Sequence, residues 1–291
     1  ESLMHDAKSI FDSGLEPAEV EAFFENSAER AATPCGDGDM AWRIWGDGPP
    51  LVLLHGGYGS WRHWIRNILP LGAHYRLYVP DMPGLGDSAT VPLPYHADSL
   101  AKIIANGLDE VLPPPTRYHL TGFSFGGLLS GHVAAQQGER VDKLVLVAPG
   151  GLGIPRQKDV VLQKTYQASD PNDEVERHRQ NLATLMFANA DNIDDLAVYL
   201  QMEAVERARI KSRQIAVTDA LRRILPSIKA RLNSIHGGED ASNYGQSSER
   251  EKLFRLIQPD MDFRIIPNAG HWVMYETPEA FNTTLLELLP D

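Results

Sequence analysis

Residues 118 to 135 read YHLTGFSFGGLLSGHVAA. Tyr118, Leu120 and Thr121 are the apolar and β-branched residues of a strand, and the small-residue run that follows has helical spacing. Between the two stands Gly122-Phe123-Ser124-Phe125-Gly126. Gly122 and Gly126 lack a Cβ, so a strand and a helix joined there can approach closely and Ser124 can take a strained backbone conformation. Such a turn sets the Ser124 hydroxyl at the edge of a sheet and at the N-terminus of a helix. That helix end offers free N–H groups and partial positive charge to a developing oxyanion. The pattern is the G-x-S-x-G nucleophile elbow, and it makes Ser124 a candidate nucleophile.

The surrounding sequence supplies a frame for such a turn. Leu51-Val52-Leu53-Leu54 is a short, fully apolar run of the kind buried in a parallel sheet. His55-Gly56-Gly57-Tyr58-Gly59 follows it and puts backbone N–H groups at the carboxyl edge, where open α/β sheets bind ligands. Further strands are expected over 39–45, 75–79, 143–147, 230–236 and 261–266, with helices over 97–111, 247–258 and 278–289. This alternation is that of an α/β fold with a mostly parallel twisted sheet flanked by helices. Over 153–228 the alternation stops, and helical patterns at 172–188, 193–214 and 217–224 replace it. The segment reads as a helical cap or lid inserted between 1–152 and 229–291 of the core. Residues 1–35 read as a helical extension, with Val20, Phe23 and Phe24 on one face to pack on the core or on a second copy in a homodimer.

A serine hydroxyl needs a base to take its proton and a third group to orient that base. Behind a nucleophile elbow the chain order is serine, acid, histidine. His271, on a glycine-bearing loop after strand 261–266, meets the positional requirement for the base. His55 reads as a brace for its own loop and His236 as a structural residue at a strand end. The acid candidates are Glu239 and Asp240, and Asp240 stands three residues after Gly237. The N–H groups of Gly57 and Phe125 would form the oxyanion hole. Asp81 and Asp87, in the turn-rich loop DMPGLGDS, are expected to fix backbone turns.

Composition narrows the class. A net charge of −12 argues against a nucleic-acid partner. A single cysteine excludes a disulfide framework and a cysteine-based metal cluster. No apolar run approaches the roughly 18 residues of a membrane span. The expectation is a soluble cytoplasmic protein that acts on a small molecule without cofactor or metal and without a membrane partner.

LVLLHGG, DMPGLGDS, GFSFGG, HGGEDA and NAGHW together resemble the α/β-hydrolase superfamily with a helical cap, over roughly 39–291. The resemblance implies the α/β-hydrolase fold, with Ser124 as nucleophile, Asp240 as acid, His271 as base, and Gly57 and Phe125 at the oxyanion hole. Gly56, Tyr58, Phe123 and Trp272 are expected around the substrate. A serine at 124 departs from the haloalkane dehalogenases and epoxide hydrolases of the superfamily, which use aspartate there. His271-Trp272 and the stretch 61–67 are similar to the meta-cleavage-product hydrolases, which break C–C bonds. Where those often carry asparagine, this chain has Phe123 and His63. The expected activity is therefore carboxylic ester hydrolysis through an acyl-enzyme. C–C hydrolysis is the alternative, and a non-catalytic ligand-binding role is a second. The insertion is less acidic than the core, and Arg177 or Arg179 is expected to face the cleft and bind a substrate carboxylate.

Overall fold

The computed structural model describes residues 10–290. Its strands are β1 (Glu29–Cys35), β2 (Gly38–Trp45), β3 (Pro50–Leu54), β4 (Arg76–Pro80), β5 (Tyr118–Phe123), β6 (Val141–Val147), β7 (Arg231–Gly237) and β8 (Asp262–Ile266). They form one sheet in the order β1-β2-β4-β3-β5-β6-β7-β8. β2 runs antiparallel to both of its neighbours, and the remaining pairs are parallel. The strand order reverses around β3, so the carboxyl ends of β3 and β5 flank the crevice where such sheets bind ligands.

β3 and the second half of β6 are buried on both faces, which is why they read as unbroken apolar runs. Leu51, Leu53, Val145 and Val147 enter one layer with Val20 and Phe24 of α1 (Pro17–Ser27). Val52, Leu54, Leu144 and Leu146 enter the other, against α2 (Ala97–Val111) and α3 (Phe125–Gln137). Each such aliphatic side chain contributes about 1.5–3 kcal/mol by leaving water.

The N-terminal expectation needs correction. α1 forms over Pro17–Ser27, but Glu29–Cys35 is a strand rather than helix, and residues 1–9 lie outside the described residues. Thr33 and Cys35 point inward while Ala32 and Pro34 point to solvent, an alternation that suits an edge strand. Gly36, at φ +56°, makes the tight turn into β2, and Thr33 Oγ1 accepts the Trp42 indole N–H at 2.8 Å.

Between β6 and β7 lies the insertion, with α4 (Pro171–Asn181), α5 (Asp195–Arg207), α6 (Ser212–Ala216) and α7 (Ala220–Ile224). The helix expected over 193–214 breaks after Arg207 because core loops claim the backbone there. Arg209 N–H donates to Gly84 O at 2.9 Å, its guanidinium reaches Gly86 O and Ser88 O, and Lys211 N–H donates to the Tyr95 hydroxyl. A second fastening comes from Glu276, whose carboxylate accepts the N–H groups of Ala188, Asn189 and Gly270. Among the described residues no helix is long and apolar enough to cross a membrane.

A buried ion cluster joins these pieces under the site. Asp81 is fully buried and accepts from the Arg43 guanidinium at 2.9 Å and from the N–H groups of Trp61 and Asp87. Arg43 also pairs with Glu25 of α1 and with Asp87, and Asp87 in turn pairs with Arg207 of the insertion. Asp81 thus fixes backbone turns, as the sequence suggested, whereas the Asp87 carboxylate bonds to Arg43 and Arg207 instead. Removing Arg43 would leave Asp81 charged and buried. Arg43→Met is therefore expected to lower the unfolding free energy by about 3–5 kcal/mol in urea titrations. A loss below about 1 kcal/mol would show that the two N–H donors satisfy Asp81 by themselves.

Candidate active site

Ser124 stands at the turn between β5 and α3 with φ 55° and ψ −114°, outside the ordinary regions for an L-residue. Such a conformation costs about 1–3 kcal/mol and persists only where its surroundings over-determine it. They do so here. Ser124 N–H donates to Val147 O at 2.9 Å, and its carbonyl accepts from Gly127, Leu128 and Gly150. A Cβ on Gly126 would strike the backbone of His55, and one on Gly122 would strike that of Gly126. Both glycines are dictated by contact between β5, α3 and the loop after β3.

The strained turn aims the Ser124 hydroxyl at His271, with Oγ 3.0 Å from Nε2. On the far side of the ring, His271 Nδ1 lies 2.7 Å from Asp240 Oδ2. Asp240 is completely enclosed. Its Oδ1 accepts the Ser242 hydroxyl at 2.7 Å and the Ser242 N–H at 2.8 Å, and Asn243 Nδ2 approaches Oδ2 at 3.2 Å. Burial works against its charge, but His271 and both Ser242 donors hold the carboxyl below the usual carboxylate range. Glu239 is exposed on the same loop. The Gly57 and Phe125 N–H groups have no acceptor among the described residues, and both residues line the cavity above Ser124.

The other histidines near the site are occupied. His55 contacts Gly56 O through Nδ1 and accepts the Met82 N–H through Nε2, so its neutral ring braces two loops. His63 Nδ1 accepts the Gly56 N–H, which leaves Nε2 as the protonated nitrogen of a ring that lines the cavity. His236 shares a hydrogen bond with Ser234, whose hydroxyl donates to Leu146 O.

Residues 51–284 match the alpha/beta hydrolase family. The chain belongs to that family. It is 28% identical over 84% of its length to a 2-hydroxy-6-oxo-6-phenylhexa-2,4-dienoate hydrolase of Burkholderia cepacia, covering 88% of that protein. A pimeloyl-[acyl-carrier protein] methyl ester esterase of Vibrio vulnificus is 39% identical, over 38% of this chain and 40% of the esterase. Among solved structures, a meta-cleavage product hydrolase from Pseudomonas fluorescens (CumD) superposes with a TM-score of 0.68 and 26% identity. That match covers 89% of this chain and 96% of the other.

The hydrolase cavity measures about 470 Å³ and is walled by both core and insertion. Gly56, Tyr58 and Phe123 line it as expected. Three expected pocket residues do not. Trp272 is buried behind His63, stacked 4.2 Å from Tyr275, with its indole N–H on His63 O. Arg177 pairs with Asp173 within α4, and Arg179 with Asp195 and Ile193 O, so nearby acids and carbonyls claim both. In their place Arg156, Arg213 and Arg250 reach the cavity. Ser242, which holds Asp240, also escaped notice, although a serine two residues after a buried carboxylate is a common turn partner.

Burial disfavours the charged form of His236 and pulls it down to about 3, with Arg250 adding repulsion. His55 and His63 are lowered for the same first reason. Unfolded histidine titrates near ~6.5, so the unfolded chain takes up protons that these folded rings refuse. Their contribution to stability is complete above about pH 6.5 and is lost as pH falls toward the folded values. His236→Gln should flatten the stability–pH slope between about pH 6 and 4 by roughly one proton, ~1.4 kcal/mol per pH unit. An unchanged slope in denaturant titrations would mean that His236 protonates within the fold.

Proposed function

We propose that this protein is a serine hydrolase that cleaves carboxylic esters through an acyl-enzyme, with Ser124, His271 and Asp240 as its triad. The observation that carries the reading is the unbroken contact chain from Ser124 Oγ through both His271 nitrogens to a buried carboxylate. In this mechanism His271 Nε2 takes the hydroxyl proton while Oγ attacks the ester carbonyl. The oxyanion settles between the Gly57 and Phe125 N–H groups, each worth about 3 kcal/mol in the transition state. His271 then passes the proton to the departing alcohol, and water repeats the sequence to release the acid. Asp240 stays ionised throughout, fixing the ring's tautomer and balancing its charge. The insertion 153–228 acts as a cap that sorts substrates entering from solvent, above a core of 1–152 and 229–291.

A second reading, C–C bond hydrolysis, is supported by the breadth of the match to the dienoate hydrolase, which spans 84% of the chain against 38% for the esterase. The same serine and histidine would serve it. Assay of p-nitrophenyl esters beside a ring-fission dienoate separates the two. The ester reading expects the larger kcat/KM on an ester, and a larger value on the dienoate would replace it with C–C hydrolysis.

Ser124→Ala should fold and lose several orders of magnitude in kcat. Asp240→Asn should lose roughly 10⁴ while Glu239→Gln changes little. The opposite ranking of the two carboxamides would remove Asp240 from the triad.

A further inference from the structure

The net charge is −12, and the buried or bridging arginines have carboxylate partners: Arg43 with Asp81, Arg62 with Glu21, Arg66 with Asp194, Arg207 with Asp87. The three arginines that line the cavity do not. Arg156 and Arg213 form no hydrogen bond or ion pair through their guanidinium groups among the described residues. Arg250 is 8% exposed and has no carboxylate within ion-pair distance. Its Nε donates to Gln246 Oε1 at 3.1 Å and its Nη1 to Pro149 O at 2.9 Å, while Nη2 has no acceptor among the described residues.

Taking a guanidinium out of water without a counter-charge is costly, and like charges nearby raise that cost. Burial pulls Arg250 down to about 10, with Asp240 opposing and Arg156 adding to the fall. Arg156, whose side chain stays exposed, is lowered by partial desolvation and then by Arg213, again against Asp240. All three side chains line one cavity, so their like charges meet there. Their origins differ: Arg250 lies on α8 (Ser247–Ile257) of the core, whereas Arg156 and Arg213 belong to the insertion. Arg213 follows Ser212, whose hydroxyl abuts Gly57 in the loop assigned to the oxyanion. The cluster thus shares a wall with the reacting serine.

We propose that Arg156, Arg213 and Arg250 bind a carboxylate on the substrate, so that this hydrolase acts on acyl compounds carrying a second, anionic group. The inference rests on the serine-hydrolase reading for the reaction but not for the binding. A planar carboxylate can take paired N–H donors from a guanidinium, which supplies Nη2 of Arg250 with its missing acceptor and relieves the repulsion. The anion would also hold core and insertion together across the cavity. Neutral esters of the same length gain none of this.

The test compares mono-p-nitrophenyl glutarate with p-nitrophenyl valerate, which differ by the carboxylate. The ratio of their kcat/KM values should favour the anionic ester by about tenfold or more, fall with added salt, and collapse in the Arg156→Gln/Arg213→Gln double variant. Both of those side chains are exposed and unpartnered, so the variant keeps its fold. Arg250→Gln should act in the same direction. A ratio near unity in wild type, or one that the double variant leaves intact, overturns the proposal.

Binding is read separately by calorimetry of Ser124→Ala with glutarate and with inorganic phosphate. Glutarate should bind, and binding should weaken about tenfold in the arginine variants. Stronger arginine-dependent binding of phosphate would overturn the assignment to carboxylate. Arginine-dependent glutarate binding without turnover of any ester or dienoate would sustain the anion site and sink the hydrolase reading. Turnover with no preference between charged and neutral esters would do the reverse.

Discussion

Much of this structure follows from one unfavourable backbone conformation. Ser124 can hold a positive φ only because its carbonyl and N–H are both engaged, and because Gly122 and Gly126 let β5, α3 and the β3 loop meet without side chains. The three elements in turn require a sheet whose central strands are buried on both faces. The cost of the turn is met by the packing of the core, and its result is a hydroxyl projecting from the sheet edge beside unpaired N–H groups. Any relaxation toward an ordinary turn would swing Oγ away from His271.

The proposed base and acid are positioned by different means. His271 sits on a loop whose backbone is clamped by Glu276 and by the insertion, since Trp272 N–H donates to Met186 O. Asp240 is held by Ser242 and Asn243 from its own loop. Core and insertion therefore share responsibility for the geometry, and the insertion is bound into the site at Glu276, Arg209 and Asp87.

The parts legible in the sequence were those set by local chemistry. Gly-Phe-Ser-Phe-Gly announced a strand–turn–helix, and the apolar runs at Leu51–Leu54 and Leu144–Val147 announced buried parallel strands. His271 and Asp240 could be placed because each follows a strand that ends at the same sheet edge. The failures share a cause. β1 has short, mixed residues whose strand character comes from pairing with β2. The break after Arg207 comes from hydrogen bonds to a loop over a hundred residues earlier in the chain. Which arginines meet the cavity depends on helix packing, and no helical spacing separates Arg213 from Arg179. The sequence set Arg177 or Arg179 over the cleft, and the packing brings Arg156, Arg213 and Arg250 there instead.

Activation of Ser124 by His271 can be read by treating the protein with a fluorophosphonate and locating the adduct by peptide mass mapping. A single stoichiometric adduct is expected on the peptide containing Ser124, formed rapidly in the native protein and lost in His271→Ala. An unlabelled native protein, or labelling of Ser124 at the same rate without His271, would contradict it.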